Sequence, residues 1–354
     1  MERVNENSVR ITYRTHLQYK MRKLFRYLLI IISITLLLAT LTLIGLNIYG
    51  NIMLENAGRT EEWTDKDGVY FENLSYGPHA LNTYDLYLPN KQSSNPDSIG
   101  CLLYIHGGSW SSGSKEEGAW FCRRYAKAGF VTASMNYSLV SPKSPATCIP
   151  TMIKEISHCI EQLTNDAAQN GYNVNKIALA GYSAGAHLAM LYGLKHKEQS
   201  PVPLTFLVSM SGPTDFTQLF NIPTDTINNI RHQLANGINH PFKKHIDAAV
   251  FISTGKQLSK SDDYSKHTID SLLLSASPIQ WITTSSLPII IAHGMKDPLV
   301  IPMHSLKLDS IYTATGVPHT FITYPNSNHF LADDTASVKQ LHQEIINYSN
   351  QYLK

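Results

Sequence analysis

From residue 69 onward, short apolar runs alternate with longer stretches of helical spacing. Residues 69–74 and 83–88 read as early strands, and 101–105, 130–137, 177–180, 287–292 and 319–324 as later ones, each bounded by turn formers. Between them, 115–128 and 184–194 read as helices. Residues 150–169 carry Ile153, Ile156, Ile160 and Leu163 at helical intervals. Strands alternating with helices predict an α/β class with a mostly parallel central sheet and helices on both faces. In such sheets ligands bind beyond the carboxyl ends of the strands. The stretch 216–275 exceeds what the core sheet needs, and an unstructured loop of that length is unusual. It predicts a helical cap or lid insertion, with helices over 225–235, 245–253 and 264–274.

A different pattern occupies the amino terminus. Residues 28–46 contain no charged side chain, and at helical rise they span roughly 28 Å, close to the hydrocarbon thickness of a bilayer. This predicts one transmembrane helix, a signal anchor over 27–49, between a basic segment 1–26 and a linker 50–67. The folded domain is then expected over 68–354. Arg3, Arg10, Arg14, Lys20, Arg22, Lys23 and Arg26 precede the apolar run, whereas Glu55, Glu61, Glu62, Asp65 and Asp67 follow it. By the positive-inside rule the amino terminus is cytoplasmic and the domain extracytoplasmic. The alternative is a secreted protein whose signal peptide is cleaved. Against it stand the length of the apolar run and the lack of a small-x-small site in 47–55.

The whole chain of 354 residues has a formal charge of +2, which gives no reason to expect a nucleic-acid partner. Cys101, Cys122, Cys148 and Cys159 show no Cys-x-x-Cys pair and no zinc-like spacing, so neither metal nor other cofactor is expected. Cys148 and Cys159 are the nearest pair in sequence, but four separate buried thiols are the default expectation.

Candidate chemistry lies at the ends of the predicted strands. Gly181-Tyr182-Ser183-Ala184-Gly185 joins a strand to a helix, and a serine in so sharp a turn needs small residues two before and two after it. Ser183 is therefore the candidate nucleophile, against the simpler reading of a helix N-cap. A serine hydroxyl requires a base and an acid to orient that base. Asp297 follows the strand 287–292, with Asp215 as its rival. His329 sits on the turn-rich loop after 319–324, with His293 and His319 as rivals. The strand 101–105 ends in His106-Gly107-Gly108-Ser109-Trp110. There the backbone N–H groups of Gly107 and Gly108, with that of Ala184, are candidates for an oxyanion hole. His106 is expected to hold this turn in shape, and His187 to be a packed helix residue. Trp110, Tyr137 and Tyr182 are candidates for lining a substrate pocket.

The chain order Ser, Asp, His and these motifs resemble the α/β-hydrolase superfamily. The branch they resemble is that of hormone-sensitive-lipase-like and feruloyl or acetyl-xylan esterase-like carboxylesterases. Further matches are Ser211-Gly212-Pro213-Thr214-Asp215 and Ala276-Ser277-Pro278, and the similarity runs from about Tyr70 to the carboxyl end. Ser109 stands where lipase-type members often carry a third glycine. His106-Gly107-Gly108-Ser109-Trp110 also fits the His-Gly-Gly-x-Trp pattern of kynurenine formamidases. The resemblance implies a serine hydrolase acting on short- or medium-chain or aryl esters through an acyl-enzyme. Amide or formamide hydrolysis, or peptidase action, by the same residues is the alternative. A noncatalytic hydrolase-fold interaction domain held at the membrane is the alternative of another class. The expected partners are a small ester and, through the amino-terminal helix, the membrane.

Overall fold

Strand β3 (Ile99–Ile105) is buried along its whole length, which is why it reads as a continuous apolar run and not as an alternating one. It lies near the centre of an eight-stranded sheet with β1 (Gly68–Ser75), β2 (Thr83–Pro89), β4 (Val131–Met135), β5 (Val174–Tyr182), β6 (Leu204–Met210), β7 (Ile289–Gly294) and β8 (His319–Tyr324). The order is β1-β2-β4-β3-β5-β6-β7-β8. The β1–β2 and β2–β4 pairs are antiparallel and all others parallel. From β3 the chain passes to β4 on one side and then returns to β5 on the other. The crevice that opens at such a reversal lies between the loops after β3 and β5. The mostly parallel sheet is the one that the strand–helix alternation predicts, and its order is that of the α/β-hydrolase fold implied by the resemblance of the motifs.

The structure, a computed structural model, describes residues 55–92, 95, 97–141, 144, 146–235, 243–259 and 262–354. One face of the sheet is covered by α1 (Ala119–Lys127) and by α9 (Thr335–Tyr352), through Phe121, Tyr125, Ile345 and Tyr348. The other carries α2 (Ile149–Gln169) and α3 (Ala184–Lys195), through Ile156, Ile160, Leu188 and Tyr192. Residues 115–118 form a separate 3-10 turn ahead of α1, so the expected single helix over 115–128 is divided. The insertion between β6 and β7 contains α4 (Phe216–Phe220), α5 (Thr224–Ala235), α6 (Lys243–Thr254) and α7 (Lys266–Leu274). Three of these match the helices expected there. Two helices that the apolar pattern did not single out are α8 (Met303–Thr315) and α9.

The expected basic segment 1–26 and anchor 27–49 lie outside the described residues. Among the described residues, no helix is long and apolar enough to cross a membrane. The expected linker is different where it is described: residues from Asn56 on belong to the same compact unit as the sheet. Glu61 pairs with Arg124 at 3.1 Å and Lys127 at 3.0 Å on α1, and the Trp63 ring meets Tyr87 edge-on at 5.4 Å. Of the charges that suggest a solvated connector, Glu61 and, through Lys127 at 3.9 Å, Asp67 are partnered by the helix beneath them. All four cysteines are buried and free, Cys148 and Cys159 included.

Candidate active site

The site is built on the carboxyl edge of the sheet, and its first element is the turn from β5 into α3. Ser183 sits there with φ 53° and ψ −119°, a conformation rarely held by a residue with a side chain. The turn is fixed on both sides. Ser183 N–H donates to Met210 O at 2.8 Å, and a Cβ on Gly185 would stand 2.0 Å from Ile105 O. Only glycine lets α3 start so close to the end of β3, which explains the small residue demanded two positions after the serine.

That contact brings the β3 loop beside Ser183. A Cβ built on Gly107 would lie 3.3 Å from Ser183 Cβ. Gly108 has φ 101°, and a Cβ there would meet Ser112 O at 2.1 Å, so this turn also needs glycine. The N–H groups of Gly107, Gly108 and Ala184 have no hydrogen-bond partner among the described residues. His106 keeps the loop in shape through Nδ1, 2.7 Å from Gly107 O, as expected. Tyr137, expected as a pocket candidate, is fully buried under the loop. It stacks on His106 at 4.3 Å and donates its hydroxyl to His106 O and Gly107 O, both at 3.1 Å. Its place is the floor of the loop, and no face of it is open to a ligand.

Asp297 and His329 meet because their loops are joined. Met295 N–H donates to Tyr324 O at 2.9 Å and Lys296 N–H to Ser327 O at 3.0 Å. On this frame His329 Nδ1 lies 2.6 Å from Asp297 Oδ2. The other oxygen of Asp297 accepts the amides of Leu299 at 2.8 Å and Val300 at 3.0 Å. Burial pushes this carboxyl up. The hydrogen bonds from His293, His329 and the Val300 amide outweigh that and hold it well below the usual carboxylate range. It is therefore ionised at neutral pH, and the imidazole beside it presents Nδ1–H to the carboxylate.

The rivals are placed elsewhere. Asp215 caps α4 by accepting the Thr217 amide at 3.0 Å and pairs with Lys307 at 2.8 Å. His319 faces Asp309 at 3.2 Å. His293 has a part that sequence reasoning missed. Its Nε2 lies 2.8 Å from Val300 O and 3.3 Å from Asp297 Oδ2, and its Nδ1 is 2.6 Å from Ser305 Oγ, so it braces the carboxylate from behind. Its position four residues before Asp297 was the available signal. His187 is a packed helix residue, as expected: it is fully buried, with Nε2 2.8 Å from Ala276 O.

The His329 loop is tied back to the serine turn. The Tyr182 hydroxyl donates to His329 O, Ser211 Oγ donates to the same carbonyl at 3.2 Å, and the Tyr182 and His329 rings meet edge-on at 5.4 Å. Tyr182, a pocket candidate by sequence, thus serves as a strut between serine and histidine. Trp110 is buried, edge-on to His187 at 5.3 Å and Phe216 at 5.4 Å, and so joins the β3 loop to the start of the insertion. Ser183 is half-buried, and no hydrogen bond links its Oγ to His329 among the described residues. Contacts of this kind often tighten only once substrate is held. No group of three or more side chains able to hold a metal ion occurs among the described residues.

Sheet order, strained serine turn and histidine–carboxylate pair together define a member of the α/β-hydrolase superfamily. Within it, the chain belongs to the BD-FAE family, which it matches over residues 84–312. Among curated proteins it is similar to Esterase LipQ of Mycobacterium tuberculosis, with 24% identity over 238 residues, 64% of this chain and 49% of that protein. It is also similar to the kynurenine formamidase of Danio rerio, with 29% identity over 119 residues, 34% of this chain and 37% of that one. The chain spans about half the length of the curated relatives it matches. A solved structure described as a truncated form of carbohydrate esterase from gut microbiota shares the fold. Its TM-score is 0.60 at 19% identity, over 82% of this chain and 99% of that one.

Proposed function

We propose that the chain is a carboxylic ester hydrolase in which Ser183 is the nucleophile, His329 the general base and Asp297 the carboxylate that orients it. The observation that carries this reading is the 2.6 Å bond between His329 Nδ1 and Asp297 on a loop fastened to the residue before Ser183. As Ser183 Oγ attacks the substrate carbonyl, its proton passes to His329 Nε2. The carbonyl electron pair moves onto oxygen, facing the unclaimed amides of Gly107, Gly108 and Ala184. Collapse of this intermediate expels the alcohol, which takes the proton from His329. Water then repeats the sequence on the acyl-serine and releases the acid.

Esters of short or medium acyl chains, or of aryl alcohols, are the proposed substrates, and a relative named as an esterase supports ester chemistry. One observation favours formamide or amide hydrolysis as a second reading. His106-Gly107-Gly108-Ser109-Trp110 keeps a tryptophan where the formamidase pattern has one, and a formamidase is among the relatives. We propose in addition that residues 27–49 anchor the enzyme, with its catalytic domain on the extracytoplasmic side. The uncharged run 28–46 and the basic residues before it support this.

A fluorophosphonate probe tests the nucleophile directly. It should label the wild type and not Ser183→Ala, and labelling that persists in the variant would move the nucleophile elsewhere. Matched 4-nitrophenyl ester and 4-nitroanilide substrates then separate the two readings. Ester turnover is expected to exceed anilide turnover at equal acyl length.

A further inference from the structure

Arg59 lies in the segment expected to be a linker, yet its side chain reaches the serine turn. Its guanidinium carbon stands 4.5 Å from the centre of the Tyr182 ring and 5.8 Å from that of Trp120, and its Nη2 donates to Phe330 O at 3.3 Å. Tyr182 precedes Ser183, and Phe330 follows His329. One guanidinium therefore holds both neighbours of the proposed nucleophile and base. Tyr182 closes the circuit by donating its hydroxyl to His329 O.

We propose that Arg59 is a positioning residue for this reaction, clamping the loop of His329 to the turn of Ser183. The inference rests on the assignment of those two residues made above. A cation over an aromatic face is attractive and directional, and a planar guanidinium can stack and donate at once, which an ammonium cannot do equally well. The backbone behind Arg59 is itself secured, with Gly58 O accepting Arg124 Nη2 at 3.2 Å and Glu61 O accepting Arg123 Nη1 at 3.1 Å. The amino-terminal segment thus reaches the catalytic edge as a brace fixed at both ends. It touches no reacting atom, and its effect passes through Tyr182 and Phe330.

The test uses the full chain, its Arg59→Ala and Arg59→Lys variants, and 4-nitrophenyl acetate, with turnover normalised to the fraction of sites labelled by the fluorophosphonate. A brace that aligns base and nucleophile should show itself in kcat. Arg59→Ala is expected to lose about tenfold in kcat per labelled site, with KM changed less than about twofold, since small misplacements of reacting groups are costly. Arg59→Lys, which keeps the cation but not the planar donor, is expected to recover part of that loss. If Arg59→Ala merely melts earlier and labels a smaller fraction, while each labelled site turns over at the wild-type rate, the inference is overturned and the assignment of Ser183 and His329 stands. A wild type that neither labels nor turns over ester overturns both.

Discussion

The backbone at Ser183 is held in a conformation that costs stability. A side chain at φ 53° and ψ −119° carries strain of about 1–3 kcal/mol, and the sheet, the glycine contacts and the Met210 bond hold it there. Glycine accepts that conformation freely but adds about 0.5–1 kcal/mol of chain entropy to lose on folding. The two terms leave a net gain for glycine. Ser183→Gly should accordingly be about 1 kcal/mol more stable than Ser183→Ala in urea titration, although both lack the hydroxyl and neither should react with fluorophosphonate. Equal midpoints for the two variants would mean that the turn stores no strain.

At the scale of elements, the close approach of α3 to β3 is the joint on which the site depends. A methyl at Gly185 would stand 2.0 Å from Ile105 O and 2.4 Å from His106 O, and both are backbone atoms that cannot swing aside. Gly185→Ala should therefore cost at least about 1–3 kcal/mol, the usual range for overpacking, and also disturb the amides beside Gly107. A lowered urea midpoint together with slowed labelling is the expected result, and an unchanged midpoint would contradict the contact. This joint was legible in the sequence, because a strand followed by Gly-x-Ser-x-Gly leaves few ways to build the turn. The loop residues Asp297 and His329 were legible for a related reason, each following a recognisable strand end in the required order. The bracing contacts of Tyr137, Tyr182 and Arg59 were not legible in the sequence. Their partners lie 30, 147 and 271 residues away, and no local pattern records such distances. The helix α9 was not singled out although its buried Val338, Leu341, Ile345 and Tyr348 stand at helical intervals, so the signal for it was present in the sequence.

For the molecule as a whole, three buried imidazoles impose a shared sensitivity to acid. His106, His187 and His304 are each almost wholly buried, and burial pushes each imidazole down to about 4. Carbonyl contacts to Gly107 and Ala276 offset part of this for the first two, and the charge of Asp215 offsets part of it for His304. An imidazole in the unfolded chain takes its proton near pH ~6.5. Between about 6.5 and 4 the unfolded state therefore binds more protons than the folded one, so stability rises with pH across that window. The contribution is fully present above about 6.5, is lost as pH falls toward about 4, and changes no further below. The carboxyl of Asp297, held low, adds its own stability above about pH 4 and gives it up only under stronger acid. Each neutral imidazole contributes a slope of at most about 1.4 kcal/mol per pH unit, so the three together approach about 4. Unfolding free energies measured at steps from about pH 7 to 4 should fall along such a slope well before the carboxylates titrate. A profile that stays level down to about pH 5 would mean that these imidazoles are protonated in the folded protein, with His106 still donating Nδ1–H to Gly107 O.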